Sequence, residues 1–196
     1  MKNWSEMFSS IFNKFKSKTP EDETKLFKEG LALVLEYEGN YVKDKDDPGG
    51  ATNKGITQKV YDKYRKHIEE DKRSVRAIAD AEVEAIYFES YWNLGKCEDM
   101  PNKLALCHFD TCVNAGVKQS SKFLQRIIGA KDDGVIGPKT IKKLSDEKEV
   151  SEIELAKKFL NLRRDFYQSL VLKKPVLKKF LKGWLKRVNK LEEYIN

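Results

Sequence analysis

Two histidines and three cysteines among 196 residues leave little material for a metal site or a disulfide framework. Cys97, Cys107 and Cys112 form an odd set without zinc-ligand spacing, and His67 and His108 are too few to complete one. The thiols are expected to be reduced and packed as small hydrophobes. No metal or organic cofactor is expected. Also missing is any apolar run near the roughly 20 residues that span a bilayer. The start, Met1-Lys2-Asn3-Trp4-Ser5-Glu6, lacks a charged leader, an apolar core and a cleavage site, so it does not read as a signal peptide.

What is present suffices for a packed core: 40% of residues are hydrophobic and 11% aromatic, which argues against wholesale disorder. The length suits one globular domain with a small appendage. Net charge is +7, unevenly spread. Residues 1–100 carry 17 Lys/Arg against 20 Asp/Glu, whereas residues 101–196 carry 21 against 11. Lys173 to Lys190 holds eight basic residues and no acid. Such a flank favours a polyanion: cell-wall polymer, anionic membrane surface or nucleic acid. Nucleic acid is disfavoured, because no interleaved aromatic platform or known motif accompanies the charge.

Met1, Trp4, Met7, Phe8, Ile11, Phe12 and Phe15 recur at helical spacing, with Lys14 and Lys16 opposite. This suits an interfacial helix, a docking helix or one folded onto the main domain. Thr19-Pro20-Glu21-Asp22 is a helix start, and the helix is expected to reach Glu38 and stop at Gly39. The helical pattern then gives way to Gly, Asp, Pro and Asn up to Thr57. Helical signals return at about 58–70, 80–92, 102–115 and 119–128. A turn is expected at Asp132-Asp133-Gly134, and a capping box of Ser151 and Glu154 opens a long helix. A last helix carries Phe180, Leu181, Trp184, Leu185, Val188 and Leu191 on one stripe. The expected architecture is mainly α, with an irregular or β insertion near residues 39–57. Residues 1–20 form an amphipathic appendage to a domain over 21–196, itself in two halves, 21–100 and 101–190.

One residue does not fit its helix. Phe27, Leu31 and Val34 mark an apolar stripe, and its next position is Glu38. A carboxylate there must be protonated, paired or in a cleft. The helix C-terminus and an apolar wall of Leu35 or Tyr41 both favour the protonated form, as a general acid needs. The alternative is a structural ion pair with Arg or Lys.

The loop that follows offers Asp44, Asp46 and Asp47, then Pro48-Gly49-Gly50, Thr52, Gly55 and Thr57. An acid facing carboxylates and hydroxyls on a Gly-rich turn is the inventory for glycoside hydrolysis. A calcium loop fits less well, because Pro48 sits where a third ligand belongs and no Glu closes the loop.

Glu38-Gly39-Asn40-Tyr41, Asp44, Asp47-Pro48-Gly49-Gly50-Ala51-Thr52 and Gly55-Ile56-Thr57 together closely resemble the signature of glycoside hydrolase family 108. That family contains N-acetylmuramidases of phage endolysins and secretion-associated lysozymes. Its usual Gly-Gly is replaced here by Gly39-Asn40. Tyr91-Trp92, Phe109-Asp110, Val113-Asn114-Ala115-Gly116 and Leu124-Gln125 look like its helical half. Asp133 to Thr140 is similar to its peptidoglycan-binding segment, and Gly183 to Val188 to its closing helix. The resemblance covers about residues 24–190. It implies a lysozyme-like fold, peptidoglycan as substrate and Glu38 as catalytic acid. In phage-type lysozymes an Asp follows the Glu after eight residues, and a Thr comes shortly after. Asp47 and Thr52 match; Asp44 is the other acid in the family pattern.

The residues themselves allow those roles. Gly49 and Gly50 would let backbone approach a sugar, and Thr52 or Thr57 can orient water. Tyr41, Tyr91 and Trp92 can stack on pyranose faces, or else fill the core. Asn114 can bond an acetamido group, or cap its helix before Gly116. The expected activity is cleavage of the β-1,4 bond between N-acetylmuramic acid and N-acetylglucosamine. Alternatives are a lytic transglycosylase and a non-catalytic peptidoglycan-binding protein. The chain is expected to be a monomer, made in the cytoplasm and released to the wall through a holin or secretion system.

Overall fold

The computed structural model describes residues 20–39, 41, 51–147 and 149–196. The N-terminal stripe, Asp44, Asp46, Asp47, Gly49 and Gly50 lie outside the described residues. Helix α1 (Pro20–Leu35) opens with three acids, Glu21, Asp22 and Glu23, in its first turn, where the helix dipole favours negative charge. It buries Leu26, Phe27, Leu31 and Val34. A short hairpin follows, β1 (Thr52–Asn53) antiparallel to β2 (Ile56–Thr57), with Thr52 opposite Thr57. Its two turn residues, Lys54 (φ 49°) and Gly55 (φ 73°), both have positive φ, the conformation that matches the strands' twist.

Thr57 then caps α2 (Gln58–His67), its hydroxyl accepting from the Val60 amide at 3.3 Å. α3 (Asp80–Tyr87) runs directly into a π-helix, Phe88–Asn93, and the two together fill the expected 80–92. α4 (Asn102–Ala115) buries nine consecutive residues, Leu104 to Cys112, and so is enclosed on every side. Around it lie α1, α5 (Val117–Ile127) and α7 (Glu152–Lys173). Gly30 lets α1 approach α4 closely, since a Cβ there would stand 3.1 Å from both Leu106 and Phe109. α8 (Lys178–Ile195) folds back along α7 after a 3-10 turn at Pro175–Leu177. The architecture is mainly α and lysozyme-like, with one small hairpin among the described residues.

Two expectations need correction. The first helix ends at Leu35, three residues early. Tyr37 and Glu38 instead bond back to Val34 and Leu35, tightening the last turn into 3-10 geometry. Secondly, α6 (Pro138–Asp146) was not expected; it starts on a proline after Gly137, a helix-opening signal hidden within a Gly- and Pro-rich stretch. The turn before it was expected. Asp133 accepts from Gln125 Nε2 (2.9 Å) and the Val135 amide (3.0 Å), and Gly134 takes φ 81°. The three cysteines are free and buried.

Candidate active site

Glu36, Tyr37 and Glu38, the turn that ends α1, all engage α8. Glu36 pairs with Lys190. The Tyr37 ring lies under the guanidinium of Arg187, 4.9 Å from its centroid, with Lys190 also over it at 5.7 Å. Glu38 places Oε1 3.5 Å from Arg187 Nη1. The tightened turn thus fixes three side chains at once against one helix. The sequence suggested an apolar wall around Glu38; the carboxyl instead meets a buried cation, and 23% of its side chain stays open to solvent.

Arg187 belongs first to Asp110. Its Nε donates to Asp110 Oδ1 at 2.8 Å, while its Nη2 stands 2.7 Å from the same oxygen without hydrogen-bond geometry. Arg163 Nη1 holds the other oxygen at 2.6 Å, and Arg163 Nε donates to the Tyr167 hydroxyl at 2.9 Å. Burial pushes the Asp110 carboxyl up, but the guanidiniums of Arg163 and Arg187 outweigh it and hold it below the ordinary carboxylate range. Two contacts under 3 Å to Asp110 against one at 3.5 Å to Glu38 make Arg187 a fixed post beside the outer carboxyl. Glu38 is steadied through one oxygen, Oε1, which leaves Oε2 to the other side.

That other oxygen faces the hairpin. A Cβ on Gly55 would stand 2.7 Å from Glu38 Oε2 and 2.5 Å from Tyr87 Oη, so only glycine fits this turn. Tyr87 donates its hydroxyl to the Lys54 carbonyl at 2.9 Å, and Asn53 donates to the Val75 carbonyl at 3.1 Å. These bonds tie the hairpin to α3 and the 3-10 turn Val75–Ala77. Burial, and then the nearby Glu38 carboxylate, push the Tyr87 and Tyr91 phenols up, which keeps both neutral beside the acid.

The remaining site expectations divide. Thr52 and Thr57 face each other across the hairpin that touches Glu38, but the Thr57 hydroxyl accepts a helix-cap bond, so its first role is structural. Tyr91 is half-buried, tilted on Tyr87 with centroids 5.6 Å apart. Tyr41 is half-buried with Arg76 over its ring at 5.4 Å. Trp92 corrects the reading: at 1% exposure it packs edge-on against Phe27 and Phe109, leaving no ring face for a sugar. Asn114 is exposed and its side-chain oxygen accepts from Tyr167, which links it to the Arg163–Asp110 network rather than to a cap.

Sequence reasoning missed Asp110, Arg163 and Arg187 as site-forming residues. The signal was the one used for Glu38: a charge on an apolar stripe. Arg163 falls between Leu160 and Tyr167, Arg187 between Trp184 and Leu191, and Asp110 inside a continuous buried run.

Residues 31–116 match the glycosyl hydrolase 108 family, and residues 119–189 match a predicted peptidoglycan domain. The structure of Brucella abortus SagA superimposes with a TM-score of 0.70 and 28% identity, covering 88% of this chain and 94% of SagA. Among curated proteins nothing matches. Glu38 and Asp110 fall in the first matched segment, Arg163 and Arg187 in the second.

Proposed function

We propose that this chain, whose residues 31–116 match glycosyl hydrolase family 108, is an N-acetylmuramidase, cutting the β-1,4 bond between N-acetylmuramic acid and N-acetylglucosamine. The peptidoglycan domain over residues 119–189 supports a wall polymer as substrate. The observation that carries the reading is the Glu38 carboxyl. It is partly open, braced by Arg187 on one oxygen, and faces a turn from which every side-chain atom is missing at Gly55.

Glu38 donates its proton to the glycosidic oxygen as the bond to the anomeric carbon of N-acetylmuramic acid breaks. Asp47, or else Asp44, steadies the oxocarbenium-like state or activates water, and Thr52 helps to orient that water. Water supplies the hydroxyl to the anomeric carbon, and a proton returns to the acid. Tyr87 and Tyr91, neutral and half or fully buried, supply a polar wall without competing charge.

Muropeptide analysis of isolated wall tests this. Wild type is expected to release reducing-end N-acetylmuramic acid. Glu38→Gln is expected to keep the fold and lose turnover by about 10²- to 10⁴-fold. Turnover that survives Glu38→Gln sinks the assignment. Anhydro-muropeptides from wild type would replace hydrolysis by transglycosylation, and wall binding without any product would make the chain a binding protein.

A further inference from the structure

The joint between α7 and α8 exposes apolar side chains that nothing in the described fold covers. Leu172, at the end of α7, is 83% exposed; Val176, in the 3-10 turn, is 73% exposed; Phe180, in the first turn of α8, is 47% exposed. Other large exposed hydrophobics, such as Val60, Leu94 and Val135, are single and scattered, as on most soluble surfaces. These three fall within nine residues. Phe180 is also braced: it stacks on Trp184 (5.9 Å, 27°), which stacks on Tyr167 (4.9 Å, 27°).

Lysines surround this tip. Lys173, Lys174, Lys178, Lys179, Lys182 and Lys186 are all exposed, and no ion pair holds any of them among the described residues. Lys179 reaches over the Phe180 ring at 5.0 Å. α8 buries Arg187, Val188, Leu191 and Ile195, so its Lys-rich side faces outward. Phe180 and Arg187 are seven residues apart, roughly 10 Å along the helix.

We infer that the α7–α8 tip docks on an anionic lipid surface, its lysines pairing with headgroups while Leu172, Val176 and Phe180 enter the interface. A phosphate- or carboxylate-bearing wall polymer would satisfy the lysines but offer nothing to the apolar side chains. The chain's own residues 1–17 are the other apolar candidate, but they carry three lysines against one glutamate, and like charge opposes that pairing. The proposal is independent of the chemistry at Glu38.

The test uses the full chain, sedimented with phosphatidylcholine vesicles with and without phosphatidylglycerol. Binding is expected only to the anionic vesicles and is expected to weaken with salt. Leu172→Glu/Val176→Glu and, separately, Lys173→Gln/Lys174→Gln/Lys178→Gln/Lys179→Gln are each expected to weaken it by about tenfold or more. Both variants should keep the wild-type circular-dichroism spectrum and cooperative thermal unfolding, which reports that they fold. Wild type that ignores anionic vesicles overturns the proposal. So does a Leu172→Glu/Val176→Glu variant that binds them as wild type does, because the surface would then be a site for soluble polyanions.

Discussion

Arg187 stands 3.5 Å from Glu38, and the two residues come from different matched segments of the chain. The peptidoglycan segment is thus not an appendage to the hydrolase segment. It supplies the cation beside the acid, and its Arg163 and Arg187 neutralise Asp110 in the core of the other.

On the proposed function Arg187 is a positioning residue, since it is buried and meets Glu38. In Arg187→Met the folded protein is expected to lose kcat by about 10- to 10²-fold with KM little changed. Arg187→Lys, which keeps the charge but not the fork, is expected to recover only part. Steady-state kinetics on solubilised wall fragments reads the split. An unchanged kcat in folded Arg187→Met would leave the arginine a purely structural role.

Gly55→Ala attacks the same acid from the other side. The backbone there has φ 73°, costing a non-glycine residue about 1–2 kcal/mol. The new methyl must also displace Tyr87 or the Glu38 carboxyl. Activity is expected to fall on the order of 10²-fold, beyond what the modest loss of thermal stability explains. A fully active Gly55→Ala protein would show that the carboxyl need not sit against the turn.

Asp110 gives a pH signature. Its carboxyl is held below the ordinary value of 3.8 in the folded state, so its stabilisation is complete above that value and is lost as pH falls through the lower, folded one. Asp110→Asn leaves two guanidiniums without their counter-charge, one fully buried and one nearly so, and should cost about 3–5 kcal/mol at neutral pH. The gap in melting temperature between wild type and variant is expected to narrow below about pH 4. Parallel curves down to strong acid would contradict the assignment.

The second carboxylate is settled by comparing Asp47→Asn with Asp44→Asn on isolated wall. Asp47→Asn is expected to lose about 10²-fold or more and Asp44→Asn much less. The reverse order makes Asp44 the partner. Two active variants would instead point to a mechanism with Glu38 alone.

How much of this was legible in the sequence depended on whether the signal was local. Pro20, the Ser151 cap bonding the Glu154 amide and the turn at Gly134 are chemistry between near neighbours, and each lies where the sequence puts it. Trp92 was ambiguous for a physical reason: an aromatic ring suits a sugar groove and a core equally, and only packing against Phe27 and Phe109 decides between them. α6 escaped because its opening proline lay in a stretch that reads as loop.

By itself the sequence determined a mainly helical chain, an acid out of place at Glu38, a Gly-rich loop after it and a basic C-terminal half. Each follows from side-chain chemistry and from periodicity along a few turns of chain. Only the tertiary structure decided that Glu38 meets Arg187, and that Arg187 in turn is fixed by Asp110. Those partners lie 149 and 77 positions away in sequence. No local pattern records a pairing across that distance; it arises when α1, α4 and α8 close around buried charges that must neutralise one another.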